Sequence, residues 1–328
     1  MRTPHVGRGA LLRPLIAALI GMLLGTMLVG PLPAVLSRMT GSPTVGGNTM
    51  TTAASFDVTD PSIAGSVVSK TTPYLAGVIK PSGSFYVYAN VTDTGANASG
   101  VATVTADVSS IKAGATAVAL VAGSYTAQGV SYDYRSASQV ADAKPAGTYS
   151  YSIRAVDNAG NVATASFTVV VDATAPAASD VQTTNGGTAG RPDTGDTIVL
   201  TYTEQIDPES ILAGSTGTSA AITIRFTNSG ASDSVAIWNG ANNEQLGLGS
   251  VALNENYVNN SNVVFTGTMT ESGATITVTL GTLTSGVVRT NSTARAMVWT
   301  PSATATDAAG NACSTTAKTE TGTNDVDF

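Results

Sequence analysis

Asp157, Asn158, Asn161 and Asp172 bring four oxygen-bearing side chains to one hairpin and its exit. Oxygen donors of this kind suit calcium, and Asp57 or Asp60 could join them. The same residue types also serve turns, because Asp and Asn bond their own backbone and tolerate positive φ, and the acids lack the dense spacing of a dedicated calcium loop. Glu204, Asp207 and Glu209 have the composition of an acid/base carboxylate pair for glycoside cleavage. Against that chemistry, Asp207 stands where a helix N-cap belongs, Glu209 suits the positive end of a helical turn, and the chain has only two tryptophans to line a sugar cleft. Trp238 and Trp299, with Tyr132 and Tyr134, fit either a sugar-stacking platform or core and edge packing.

Two counts exclude other chemistry. The only histidine is His5, in the N-terminal head, so the folded body has no Ser-His-Asp triad, His base or His-ligated zinc. The only cysteine is Cys313, which rules out a disulfide within the chain and reads as a small packing residue, with a reactive thiol or a dimer link as the other readings. Net charge is −7 and only 11% of residues are charged, against roughly 25% in an average soluble domain. Without Lys and Arg clusters the chain has no footprint for a phosphate backbone, so no nucleic-acid partner is expected.

The elements that must position these residues are strands. Ser, Thr, Gly, Ala and Val dominate, and branching at Cβ favours pleated structure. In the stretch from Gly147, Tyr149, Tyr151, Ile153 and Ala155 alternate with Ser150, Ser152 and Arg154, the period of a half-buried strand. Asp157, Asn158, Gly160 and Asn161 then reverse the chain, and Phe167, Val169 and Val171 again face one way. Pro176 ends the sheet edge and begins a linker. Further strands are expected at Gly65 to Ser69, Phe85 to Val91, Val101 to Asp107, Ala117 to Ala122, Thr197 to Glu204, Ala221 to Phe226, Ser234 to Trp238, Val263 to Met269 and Ala274 to Leu280. Asp207-Pro208 through Gly214 carries the signals of one short helical turn.

At the other end, Arg2, Arg8 and Arg13 precede an apolar run from Leu15 to Val29 that Pro31 and Pro33 interrupt. This matches a secretory signal peptide better than a span needing about 20 residues. A signal anchor, with the apolar character running on to Leu36, is the other reading. Residues 38–54 are small and polar and read as a flexible stalk. There is no sortase-like ending and no apolar tail, so attachment to a wall or membrane is expected through the N-terminus or by non-covalent contact. Four Asn-x-Ser/Thr matches, beginning at Asn90, Asn97, Asn259 and Asn291, carry little information in so Asn- and Thr-rich a chain.

The pattern Asp157-Asn-Ala-Gly160-Asn161 recurs as Asp307-Ala-Ala-Gly310-Asn311, which implies two copies of one architecture. GTYSYSIRAVDNAGNVATASFTVVVDATAP resembles the final strands and linker of bacterial immunoglobulin-like domains of exported multidomain proteins. DTGDTIVLTYTEQIDPESILAG is similar to the opening of the bacterial Ig-like domains of surface-layer-type proteins, and TDAAGN suits that module. The resemblance implies β-sandwiches outside the cytoplasm, acting as spacer, adhesive or binding modules with no catalytic residues. It departs from antibody-type domains in having no Cys pair between the sheets.

The sequence therefore predicts an all-β chain of two tandem Ig-like β-sandwich domains after an N-terminal apolar signal or anchor helix. Its parts are 1–37 signal or anchor, 38–54 stalk, 55–172 first domain and 173–328 second domain. The expected function is a non-catalytic structural or adhesive component at the cell surface or in the medium. A carbohydrate-binding module, calcium-assisted or not, is the alternative, and a polysaccharide-acting enzyme the third reading. Expected partners are protein or glycan surfaces of the envelope or extracellular space, with membrane contact only through an uncleaved N-terminal segment. No cofactor is expected beyond calcium at Asp157, Asn158, Asn161 and Asp172.

Overall fold

The structure is a computed structural model that describes residues 56–328 except Thr72, Asn260 and Ser261, so the signal or anchor segment and the stalk lie outside the described residues. Two units are distinguished, Met1–Asp57 and Val58–Phe328, and the strands and the helix of the described residues belong to the second. Within it the fold is all-β. Among the described residues no helix is long and apolar enough to cross a membrane.

The first sheet contains β1 (Ser62–Ser69), β2 (Val78–Ile79), β3 (Ser84–Thr92), β4 (Val101–Asp107), β5 (Val118–Ala127), β6 (Val130–Ser136), β7 (Gln139–Val140), β8 (Gly147–Asp157) and β9 (Val162–Val171). Hydrogen bonding runs β1-β3-β6-β5-β4-β8-β9-β2, with β7 on β3. Pairing is antiparallel except where the short β2 joins β9. Alternation drives burial as the sequence implies: Phe85, Val87, Ala89 and Val91 of β3 and Tyr151, Ile153 and Ala155 of β8 point into one core. Val68 of β1 and Val169 of β9 share that core although their strands lie near opposite ends of the path. The sheet therefore folds over its own apolar face, and both layers of the sandwich belong to one hydrogen-bonded sheet. Gln128 and Gly129, both at positive φ, make the two-residue turn between β5 and β6 whose twist matches the strands.

The second sheet contains β10 (Ala178–Thr184), β11 (Thr197–Tyr202), β12 (Ser219–Thr227), β13 (Ser234–Asn239), β14 (Gln245–Ala252), β15 (Val263–Ser272), β16 (Thr275–Ser285), β17 (Val298–Thr300) and β18 (Lys318–Thr319), hydrogen-bonded in the order β10-β11-β16-β15-β12-β13-β14-β17-β18. β10 and β18, the two ends, lie beside each other. A single turn of helix, α1 (Pro208–Ile211), is capped by Asp207, whose carboxylate accepts the Glu209 N–H at 3.1 Å. The core is heavier in aromatics than the first. Trp299 meets Tyr202 edge-on at 4.7 Å, and Phe226 packs edge-on against Phe265 and Phe328 at 5.8 and 5.5 Å. Cys313 is buried in the same core, as a packing residue would be.

β2, β6, β7, β10, β14, β17 and β18 are additions to the strands that periodicity identifies. β14, QLGLGSVA, contains two glycines that dilute its propensity. One of them, Gly249, has φ +80°, and a Cβ there would run into the Thr300 carbonyl oxygen of β17. Trp299 is fully buried and its indole N–H donates to the Leu248 carbonyl at 2.8 Å. Trp299→Ala is expected to cost about 3–5 kcal/mol in a urea titration followed by circular dichroism, while the half-buried Trp238→Ala costs clearly less. Equal losses at the two positions would contradict the core assignment.

Candidate functional site

The hairpin turn between β8 and β9 is built by hydrogen bonds to Asp157. Its Oδ1 accepts the backbone N–H groups of Ala159 and Asn161 at 2.9 and 2.8 Å, and its Oδ2 accepts Nδ2 of Asn161 at 2.7 Å. Asn158 turns the other way and donates Nδ2 to the carbonyls of Ser99 and Gly100, both at 2.9 Å. Asp157 is only 2% exposed, so its carboxylate is a buried acceptor satisfied by the turn itself. One oxygen of Asp93 lies within 4.8 Å of it.

Asp172 sits at the far end of β9, whose 10 residues at about 3.3 Å each separate it from that turn. The four residues named from the sequence as calcium ligands are thus not one cluster. Asp157, Asn158 and Asn161 form the turn, and Asp172 belongs to a different group at the junction of the two sandwiches. Asp60 is exposed.

At that junction Asp172, Glu204 and Asp307 each place a carboxylate oxygen within 4.8 Å of the others. Asp172 follows β9, Glu204 follows β11, and Asp307 opens the second Asp-x-Ala-Gly-Asn turn. That turn is closed in the same manner with one donor shifted: Asp307 Oδ1 accepts the N–H groups of Gly310 and Asn311 at 2.7 and 2.8 Å, and Oδ2 accepts Asn311 Nδ2 at 2.8 Å. Here the turn closes no long hairpin, only a bridge between Thr306 and Ala312. Its Asn311 side chain is used across the junction instead, donating to the Asp172 carbonyl at 2.9 Å. Glu204 Oε1 is buried without a hydrogen-bond partner, and burial, reinforced by the carboxylates of Asp172 and Asp307, pushes this carboxyl up to about 7. A carboxyl poised at neutrality among two others either takes up a proton or shares a cation. The donors are all oxygen, so Asp172, Glu204 and Asp307 are the residues here that could hold a hard dication such as calcium.

The carboxylates first weighed as an acid/base pair are separated by their duties. Asp207 caps α1 and accepts Lys70 Nζ at 2.6 Å, Glu209 is exposed, and Glu204 belongs to the junction group. The aromatic residues are divided too. Trp299 is in the second core, the half-buried Trp238 lies under the Arg225 guanidinium at 3.5 Å, Tyr132 packs on Tyr88 at 5.6 Å, and Tyr134 packs against the first core. A surface depression of about 590 Å³ bordered by Asn254, Glu255, Arg295 and Thr319 has Glu255 as its acid, and that acid is tied to Arg295 at 3.2 Å.

The second buried carboxyl of note, Glu271, borders a cavity of about 10 Å³ with Pro208, Ile211, Met269 and Ile276. Its Oε1 has no hydrogen-bond partner, and burial with the nearby Asp207 carboxylate raises it to about 7. Nothing in the local sequence marks it, because the acid lies at a strand end that reads as exposed.

No family model matches the chain, and no curated protein matches it. Among solved structures the chain is similar to a carbohydrate-binding module of the β-sandwich superfamily, 12% identical, with a TM-score of 0.23 over 70% of this chain and 100% of that one. It is also similar to dimeric latent PorU from Porphyromonas gingivalis, 11% identical, with a TM-score of 0.22 over 70% of this chain and 20% of that one. Likenesses of this size carry no argument about activity or ligand.

Glu204 and Glu271 both hold their protons more tightly folded than unfolded, since each rises from an ordinary 4.5 to about 7. Their contribution is therefore full below about pH 4.5 and is lost as pH climbs through 7. The melting temperature in EDTA is expected to fall between about pH 5 and pH 8 on this account, and Glu271→Gln is expected to flatten the profile and melt above wild type at pH 8. A variant with the wild-type slope would show that Glu271 is not the strained group described.

Proposed function

We propose that the chain is an exported, non-catalytic structural or adhesive protein of the bacterial Ig-like kind, acting at the cell surface or in the medium as a stiff two-module spacer. One observation carries this reading: the two sandwiches are bonded to each other, not merely strung on a linker. Lys70 of the first domain pairs with Asp207 of the second at 2.6 Å, with side chains 21% and 4% exposed. Lys80 Nζ donates to the Gly310 carbonyl at 2.8 Å, Gln205 Nε2 donates to the Tyr74 hydroxyl at 2.8 Å, and the Ser314 N–H donates to the Pro176 carbonyl of the linker at 2.8 Å. A junction with this many cross-bonds resists hinging, which is what a module holding its neighbour away from a surface requires.

On this reading contact with partners falls to loops and sheet edges, and the partners are protein or glycan surfaces of the envelope or extracellular space. The N-terminal segment supplies export and, if it is retained, the membrane tether. The carbohydrate-binding alternative takes its support from the tyrosines of the first sheet. Two of these, Tyr86 and Tyr125, already have the Arg135 guanidinium against their rings at 4.7 and 4.4 Å, which leaves less open π-face for a sugar.

Lys70→Ala leaves Asp207 buried without its cation and is expected to cost about 1.5–3 kcal/mol of stability. Combined with Lys80→Ala it is expected to broaden the interdomain distance distribution measured by small-angle scattering. An unchanged distribution would remove the stiff-spacer reading. A glycan array probed at high concentration with and without EDTA separates the alternative: specific signal favours the carbohydrate-binding module, and its absence favours the structural role.

A further inference from the structure

β18 and the residues after it lie across the place where the two ends of the second sheet meet. Glu320 and Met297 exchange backbone and side-chain bonds, with Glu320 N–H to Met297 O at 3.0 Å and Met297 N–H to Glu320 Oε2 at 2.9 Å. The Thr321 N–H reaches Asp180 Oδ1 on β10 at 2.9 Å, and Gln182 Nε2 returns a bond to the Thr321 carbonyl at 2.8 Å. Arg295 bridges Asp325 through the backbone, its N–H donating to the Asp325 carbonyl at 3.0 Å. These few bonds take the place of a ladder between β10 and β18.

Three carboxylates converge on this seam. Glu320, Asp325 and Asp327 each place an oxygen within 4.8 Å of the others, and among the described residues none of them has an ion-pair partner. Asp327 is 1% exposed. Its Oδ1 accepts the Thr183 hydroxyl at 3.3 Å, but its Oδ2 is buried with no hydrogen-bond partner. A buried acceptor left unpaired costs free energy, and two more carboxylates beside it add repulsion, so the arrangement as it stands asks for positive charge. Asp325 is exposed and Glu320 half-buried, which leaves the group open to solvent on one side for entry and for water ligands.

We propose that Glu320, Asp325 and Asp327 form a divalent-cation site that takes calcium and clasps the segment after β18 to β10, closing the second sheet. The donors are all oxygen, which excludes a soft metal. Three carboxylates that bind through one or both oxygens, completed by water, reach the six to eight ligands calcium takes, whereas magnesium demands a tighter octahedron. This site is separate from the acids of the sandwich junction and does not depend on the adhesive reading.

The test uses the full chain carrying Glu204→Gln, which disables the junction group, and terbium as a luminescent calcium surrogate. Tyr257, fully buried and near Asp327, is a built-in sensitiser. Terbium emission under tyrosine excitation, displaced by calcium more readily than by magnesium, is expected, together with a calcium-dependent rise in melting temperature. Adding Asp325→Asn or Asp327→Asn is expected to weaken binding at least about tenfold, by loss of a charged ligand. Asp325 is exposed, so its variant keeps the fold and decides the matter if the Asp327 variant does not. No binding in the Glu204→Gln chain, or binding of undiminished affinity with Asp325→Asn added, overturns the proposal.

Discussion

Buried aspartates that accept backbone N–H groups are the interaction on which this structure depends. With no disulfide and few charges, the chain fixes its loops by sinking single carboxylates beneath them. Asp157 and Asp307 do so in the two Asp-x-Ala-Gly-Asn turns, and the fully buried Asp233 gathers the N–H groups of Ser229, Tyr257 and Val258 at 2.7–3.0 Å. Asp196, also fully buried, accepts from Gly186 and Asp193 at 2.8 and 2.7 Å. Each charge is offset by bonds fixed in direction, so the loop can adopt essentially one conformation while its carboxylate stays inside. The strands supply the apolar area, and these turns decide how they are connected.

The same device explains why the sandwiches meet as they do. Asp207 caps α1, accepts Lys70 and sits beside Glu271, so one residue links a local turn to the neighbouring domain. The second Asp-x-Ala-Gly-Asn turn, freed from closing a hairpin, lends Asn311 to the end of β9 and Gly310 to Lys80. A motif that is purely local in the first domain has become part of an interface in the second.

Local features were legible in the sequence, and long-range ones were not. The alternation in β8 and β9, the turn between them and the capped turn at Asp207 all follow from short patterns, and each is found in place. β14 escaped because its glycines weaken the pattern, and β10, β17 and β18 because edge and closing strands need little apolar character of their own. Asp172 drew attention as an oxygen donor, yet its companions Glu204 and Asp307 come from other strands and turns. Only the packing of one sandwich against the other brings them together. Asp157 shows the converse: the residue types that fit a cation also build the turn, whose backbone N–H groups its carboxylate accepts.

That the two ends of the second sheet face each other bears on how such a chain behaves in a crowd. A sequence rich in Val and Thr and poor in charge would, with a long bare edge, invite neighbouring copies to add strands to it. Turning the ends of this sheet toward each other takes that template away from the second sandwich.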